Sequence, residues 1–168
     1  FNQTIEGIEI HNAILNIHVL PSGELLHHSS RFIPNAIQKI NTKKINLKAH
    51  QATRKAFELL DKPTPNLEIL EQDDQQILYE KNEQVLSPIP VWTCYWKNEK
   101  EDLILAWSIG LEMAEGDHAW SMKIDAQTGE LLEQIDLMDH CGFSHSKGHN
   151  EHCQHHNHTK KEQTYLFN

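Results

Sequence analysis

Leu103 to Leu137 reads LILAWSIGLEMAEGDHAWSMKIDAQTGELLEQIDL, and this stretch decides the fold. Between Leu103 and Met113 every odd position is apolar: Leu103, Leu105, Trp107, Ile109, Leu111 and Met113. A period of two belongs to a strand with one face on a core. The polar turn Ala114-Glu115-Gly116-Asp117 follows, and the apolar positions then become even: Trp120, Met122 and Ile124. A strand that folds back through a short hairpin with its apolar side kept inward shows this change. Asp125-Ala126-Gln127-Thr128-Gly129-Glu130 is a second turn, with Asp suited to its first position and Gly129 to the φ > 0 position that closes a bulged hairpin. Leu131, Ile135 and Leu137 supply a third strand. The pattern predicts a three-stranded antiparallel meander.

Outward from it, Ser87 to Lys97 holds Pro88 and Pro90 and then a strand in which Trp92, Cys94 and Trp96 share a face. Cys94 between two tryptophans reads as a small buried hydrophobe, with a cysteine switch on a partner's zinc as the sharper alternative. Asn46 to Leu60 reads as the one clear helix, capped by Asn46, with Ala49, Ala52, Thr53, Ala56, Leu59 and Leu60 on one face and Pro63 and Pro65 as its stop. Small residues on that face predict a helix pressed closely on a sheet. Phe1 to Pro34 reads as β structure: Ile8 and Ile10 alternate with polar residues, as do Leu15, Ile17 and Val19, and Pro21-Ser22-Gly23-Glu24 turns the chain into a returning strand, Leu25 to Phe32. Between Pro65 and Asn82, Leu67 and Ile69 and then Ile77, Leu78 and Tyr79 read as short strands around the acidic loop Glu71-Gln72-Asp73-Asp74. That loop lacks the ligand spacing and Gly of a calcium site and reads as solvated.

The net charge of -9 argues against nucleic acid, which needs a basic stripe. No run of about 18 apolar residues is present to span a membrane. The start, Phe1-Asn2-Gln3, shows neither a signal peptide nor a natural first residue, so the chain reads as a piece cut at its start. Cys94, Cys141 and Cys153 make no disulfide framework. The sequons Asn2-Gln3-Thr4 and Asn157-His158-Thr159 matter only in a secreted protein.

Asp139 to Lys161 departs from everything before it. Seven of the 13 histidines fall here and apolar residues nearly vanish, a composition that cannot build a packed core. Imidazoles and thiolates suit Zn²⁺, Ni²⁺ or Cu²⁺, so the candidate metal ligands are His140, Cys141, His145, His149, His152, Cys153, His155, His156 and His158. Their spacing matches no standard zinc module. A cleavable linker and a Cys141–Cys153 disulfide, worth roughly 3 kcal/mol for such a loop, stand beside the metal reading.

Catalytic motifs are absent from the sequence. A zinc peptidase shows H-E-x-x-H on a helix, with Glu as base. The nearest approach, His149-Asn150-Glu151-His152, has the wrong spacing. There is no G-x-S-x-G, P-loop or G-x-G-x-x-G. The chain reads as non-catalytic and requiring no cofactor of its own.

Two stretches carry a resemblance. Trp107-Ser108, Trp120 and Asp125-Ala126-Gln127-Thr128-Gly129-Glu130-Leu131 resemble the close of the PepSY-like domain in fungalysin-type propeptides. Phe1-Asn2-Gln3-Thr4, Gly7-Ile8-Glu9-Ile10, Asn16-Ile17-His18-Val19, Ser22-Gly23-Glu24-Leu25 and Phe32-Ile33-Pro34 resemble the fungalysin/thermolysin propeptide motif. Thr164-Tyr165-Leu166-Phe167 is similar to the start of that family's catalytic part. The resemblance implies an α+β, cystatin-like/PepSY-like antiparallel sheet curled against one main helix. It implies a propeptide-like β module at 1–45, a PepSY-like domain at 46–138 and a His-rich junction at 139–168 leading to a catalytic domain beyond this chain. The implied function is that of a pro-segment of a secreted zinc metallopeptidase, acting as intramolecular chaperone and inhibitor until the junction is cut. Its implied partner is the catalytic domain in cis, which carries the zinc; no nucleic acid or membrane partner is expected. A histidine-rich junction is not part of that family pattern. The alternative is an extracellular or periplasmic metal-binding module whose His/Cys tail is the working part.

Overall fold

The computed structural model describes residues 1–73 and 76–138. Nine strands and one α-helix make it up: β1 (Asn2–Ile5), β2 (Ile8–Val19), β3 (Leu25–Ser30), α1 (Ala49–Leu59), β4 (Ile69–Gln72), β5 (Gln76–Tyr79), β6 (Ile89–Lys97), β7 (Leu103–Glu112), β8 (Ala119–Asp125) and β9 (Leu131–Asp136), with a 3₁₀ turn at Ala36–Lys39. The main path is β1-β2-β6-β7-β8-β9, with β5 and β4 added beside β6 and β3 beside the far half of β2. One ladder in it is parallel: Glu9 and Ile10 of β2 lie opposite Cys94 and Tyr95 of β6.

The α+β, antiparallel, cystatin-like expectation is therefore corrected. The described protein is mostly β, its large sheet is mixed, and one 11-residue helix is the whole α content apart from the 3₁₀ turn. The physical reason lies in β2. This 12-residue strand is long enough to pair with β1, β6 and β3 along its length, so the N-terminal segment extends the central sheet with strands. Asn12, at φ 61, bulges it and shifts which residues face inward: Ile10 and Ala13, not Ile10 and Asn12, are the buried ones.

The meander stands as its pattern predicts. Leu105, Ile109 and Leu111 of β7 and Met122 and Ile124 of β8 are buried on one face, with Trp107 opposite Ile124 and Ile109 opposite Met122 in register. The second turn is built by local chemistry. Asp125 Oδ1 accepts from the backbone N–H of Gln127 at 2.6 Å and Thr128 at 3.0 Å, and Gly129 takes φ 77, which a Cβ would strain.

That turn also sets where the helix begins. The Ala126 carbonyl accepts from both Asn46 (3.0 Å) and Leu47 (2.9 Å) N–H groups, which draws Asn46 away from capping. The helix starts two residues later than the Asn46 reading allows, with Lys48 as N-cap and its N–H held by the Gln51 side chain at 2.9 Å. Ala49, Ala52, Thr53 and Ala56 are buried against β6, β7 and β8, as small side chains permit. Phe57 joins them fully buried, whereas Leu59, expected inside, is 38% exposed. Across the sheet, Trp107 Nε1 donates to the Leu47 carbonyl at 2.7 Å, tying the helix entry to the central strand.

Candidate functional site

The sheet has two unequal faces. The helix and the apolar core cover one. The other presents Glu9 and His11 of β2, Trp92, Cys94 and Trp96 of β6, Ser108 of β7, Ser121 and Lys123 of β8, and Glu133 of β9. Its centre is an ionic cluster. Lys123 is only 2% exposed, stands opposite Ser108 and Glu133, donates from Nζ to Ser121 Oγ at 3.1 Å, and lies 4.0 Å from Glu133 Oε2. Glu133 also accepts from Trp96 Nε1 at 3.3 Å and lies 3.3 Å from His11 Nε2. Burial, reinforced by the Lys123 charge, holds the His11 imidazole below its usual pKa, and the neutral ring accepts from Asn12 Nδ2 at 3.0 Å.

Cys94 shares this face and is 2% exposed; burial pushes its thiol up to about 12. A thiol there stays protonated at neutral pH and is a poor nucleophile or metal ligand. The cluster thus has no activated nucleophile. It is a buried charge network, and its balance is testable. Replacing Glu133 by Gln leaves the Lys123 ammonium buried without its carboxylate, which we expect to cost about 3 kcal/mol; Lys123→Met alone is expected to cost less, because the stranded Glu133 carboxylate is partly exposed, and the double variant is expected to recover most of the loss. Urea midpoints of the two variants and of the double variant measure the difference.

A second cluster closes the β7–β8 turn. His118 Nδ1 contacts Asp136 Oδ2 at 2.6 Å and its ring stacks on Trp120 with centroids 5.0 Å apart; Asp136 Oδ1 accepts from the backbone N–H of Ala119 and of Met138. The Asp136 hydrogen bond holds the His118 pKa above the ordinary 6.5. A raised folded pKa gives stability that is full below about pH 6.5 and is lost as pH rises through the folded value. His118→Gln is therefore expected to lower the melting temperature at pH 5.5 and to change it little at pH 8.5. The adjoining cavity, about 290 Å³ between Leu60, Lys62, Met113, Glu115 and Trp120, is open and smaller than most ligand pockets.

The third feature is the ribbon of β2 and β3, where every residue of β3 is exposed. Ile17 lies opposite His28 and Val19 opposite Leu25, which places Ile17, Val19 and Leu25 on one ribbon face at 44%, 57% and 60% exposure. Asn16 and His18 lie on the other face with Ser29 and His27. Clustered exposed apolar side chains mark an interaction surface more often than isolated ones do.

The nine residues that the sequence singles out as metal ligands, His140, Cys141, His145, His149, His152, Cys153, His155, His156 and His158, lie outside the described residues. Among the described residues no group of three or more His, Cys, Asp or Glu side chains is arranged to hold a metal ion. No described helix is long and apolar enough to cross a membrane. Sequence reasoning missed the Lys123–Glu133 cluster because Lys123 sits at the polar position of an alternating strand, which normally faces water. The His118–Asp136 pair had no sequence signal either, being a contact between strands.

The described residues thus form a mostly β structure in which one large mixed sheet is packed on a single helix. Comparison with known proteins places it beside extracellular peptidases. The chain is 25% identical over 150 residues to extracellular metalloproteinase 1 of Arthroderma otae, a match covering 85% of this chain and 23% of that protein. It is 24% identical over 149 residues to extracellular metalloproteinase 1 of Trichophyton rubrum and to extracellular metalloproteinase 5 of Arthroderma gypseum, with the same coverage. No family model matches the chain. It spans about a quarter of the length of these curated relatives.

Proposed function

We propose that this chain is the pro-segment of a secreted zinc metallopeptidase. It assists folding of the catalytic domain, holds that domain inhibited in cis, and is released by cleavage within residues 139–161. One observation carries the reading: 85% of this chain is similar to a portion that makes up only 23% of the length of an extracellular metalloproteinase, and this chain contains no H-E-x-x-H. The zinc belongs to a catalytic part with that motif; the residues of this chain do not supply it.

The mechanism needs only binding. A segment with affinity for the native peptidase and none for its unfolded chain stabilises the native state by linkage, and the same contact occludes substrate. The apolar face of the ribbon, Ile17, Val19 and Leu25, is the surface we assign to that contact. Val19→Asp with Leu25→Asp is expected to raise the inhibition constant at least tenfold without moving the melting temperature, since both side chains already stand in water. Enzyme inhibition and calorimetry on the same preparation check this.

The chaperone half is tested by refolding. The catalytic domain that the proposal requires in the same parent protein is denatured and renatured with and without one equivalent of this chain, and recovered activity is measured. A several-fold higher yield is expected. An equal yield, or a reading frame that ends without H-E-x-x-H, contradicts the proposal.

A further inference from the structure

We infer that His18 and His27 form a two-imidazole site for a borderline transition-metal dication, Zn²⁺, Cu²⁺ or Ni²⁺, on the exposed ribbon. The inference does not depend on the pro-segment reading and uses none of the histidines beyond residue 138.

The first argument is register. His18 and His27 are direct partners across the antiparallel β2–β3 ladder, so the two rings share a face. Directly opposed residues have Cβ atoms roughly 4.5–5.5 Å apart, close enough for both side chains to reach one point. The second is ring geometry. Their centroids stand 6.0 Å apart with 28° between the planes. Zn–N bonds of about 2.0–2.1 Å place two ligating imidazole centroids roughly 5–6 Å apart, so small χ rotations bring both rings onto one ion. The third is availability. Among the described residues neither imidazole makes a hydrogen bond or ion pair, and each is exposed, so no existing partner has to be given up.

His28 is not part of the chelate. Its ring is 6.5 Å from that of His27, but the residue pairs with Ile17 on the opposite face. With two ligands of four, the site leaves coordination positions open to water or to a donor from another molecule. Such a site captures a ligand; it does not staple a fold. Imidazole nitrogen is a preferred donor for these ions, whereas Mg²⁺ and Ca²⁺ prefer oxygen and are excluded.

The tail must be silenced for a clean test, because its nine histidines and cysteines would compete. The full chain with those nine replaced by Ser is titrated with Cu²⁺ while backbone amide spectra are recorded. Paramagnetic broadening of amides in Asn16–Val19 and His27–Ser29 at one equivalent is expected, with loss of that broadening in His18→Asn/His27→Asn and in His27→Gln alone. Melting temperatures without metal should match across all three proteins. Ribbon amides that stay sharp at one equivalent, or broadening that persists in both substituted proteins, overturn the inference. Mg²⁺ at the same concentration serves as the negative probe.

Discussion

Trp107→Ala is expected to remove about 3–5 kcal/mol of stability, the cost of truncating a large buried aromatic. Trp107 is 7% exposed on the central strand β7, opposite Thr93 on one side and Ile124 on the other. Its loss opens a cavity between the helix and three strands. It also orphans the Leu47 carbonyl, which now accepts from Nε1 at 2.7 Å where the chain enters α1. For a domain whose whole stability is about 5–15 kcal/mol, that is a large share. Trp107→Phe separates the two effects, since it keeps most of the volume and loses the donor; about 1–2 kcal/mol is expected for it. Urea midpoints at fixed m-value measure both. A Trp107→Ala midpoint within error of the parent would show that this strand does not centre the core.

The second large effect concerns the junction. In the proposed zymogen, pro-segment and peptidase share one chain, so their contact forms at an effective concentration near the millimolar range, and avidity of about 10²–10⁴ is lost once the chain is cut. Cleavage within residues 139–161 should therefore make inhibition dilution-dependent. An uncut protein is expected to show the same low specific activity at high and low concentration. The cut protein should remain inhibited when concentrated and recover at least about 100-fold activity on dilution. Peptidase assays across a dilution series, with gels reporting the extent of cleavage, check it. Specific activity that jumps on cutting and does not respond to dilution would mean that the two parts have no affinity once separated.

How much of this was legible in the sequence depends on how local the determining interaction is. The β7–β8–β9 meander was readable because period-two burial and the Asp125–Glu130 turn lie within neighbouring residues. The burial of Cys94 was readable from the tryptophans that flank it on one strand face. The parallel pairing of β2 with β6 was not, because it joins residues 9–10 to residues 94–95 and leaves no periodic trace. The helix start is set at long range too: Asn46 is a sound N-cap in isolation, but the Ala126 carbonyl, some 80 residues away, takes its N–H. The fold class followed the family resemblance, which weighted the single helix heavily; the extended β2 and β3 make the protein mostly β. Lys123 shows the limit most plainly. A polar residue on an alternating strand reads as solvated, and only the positions of Ser108, Ser121 and Glu133 around it show that it is buried.

Inhibition of the peptidase by this chain is read from a titration. The purified chain is added to the active metallopeptidase that the proposal assigns to the same parent protein, and the initial hydrolysis rate is followed as chain concentration rises. A saturable fall to near zero with one chain per peptidase is expected, weakened at least tenfold by Val19→Asp with Leu25→Asp. A rate unchanged at the highest chain concentration would contradict it.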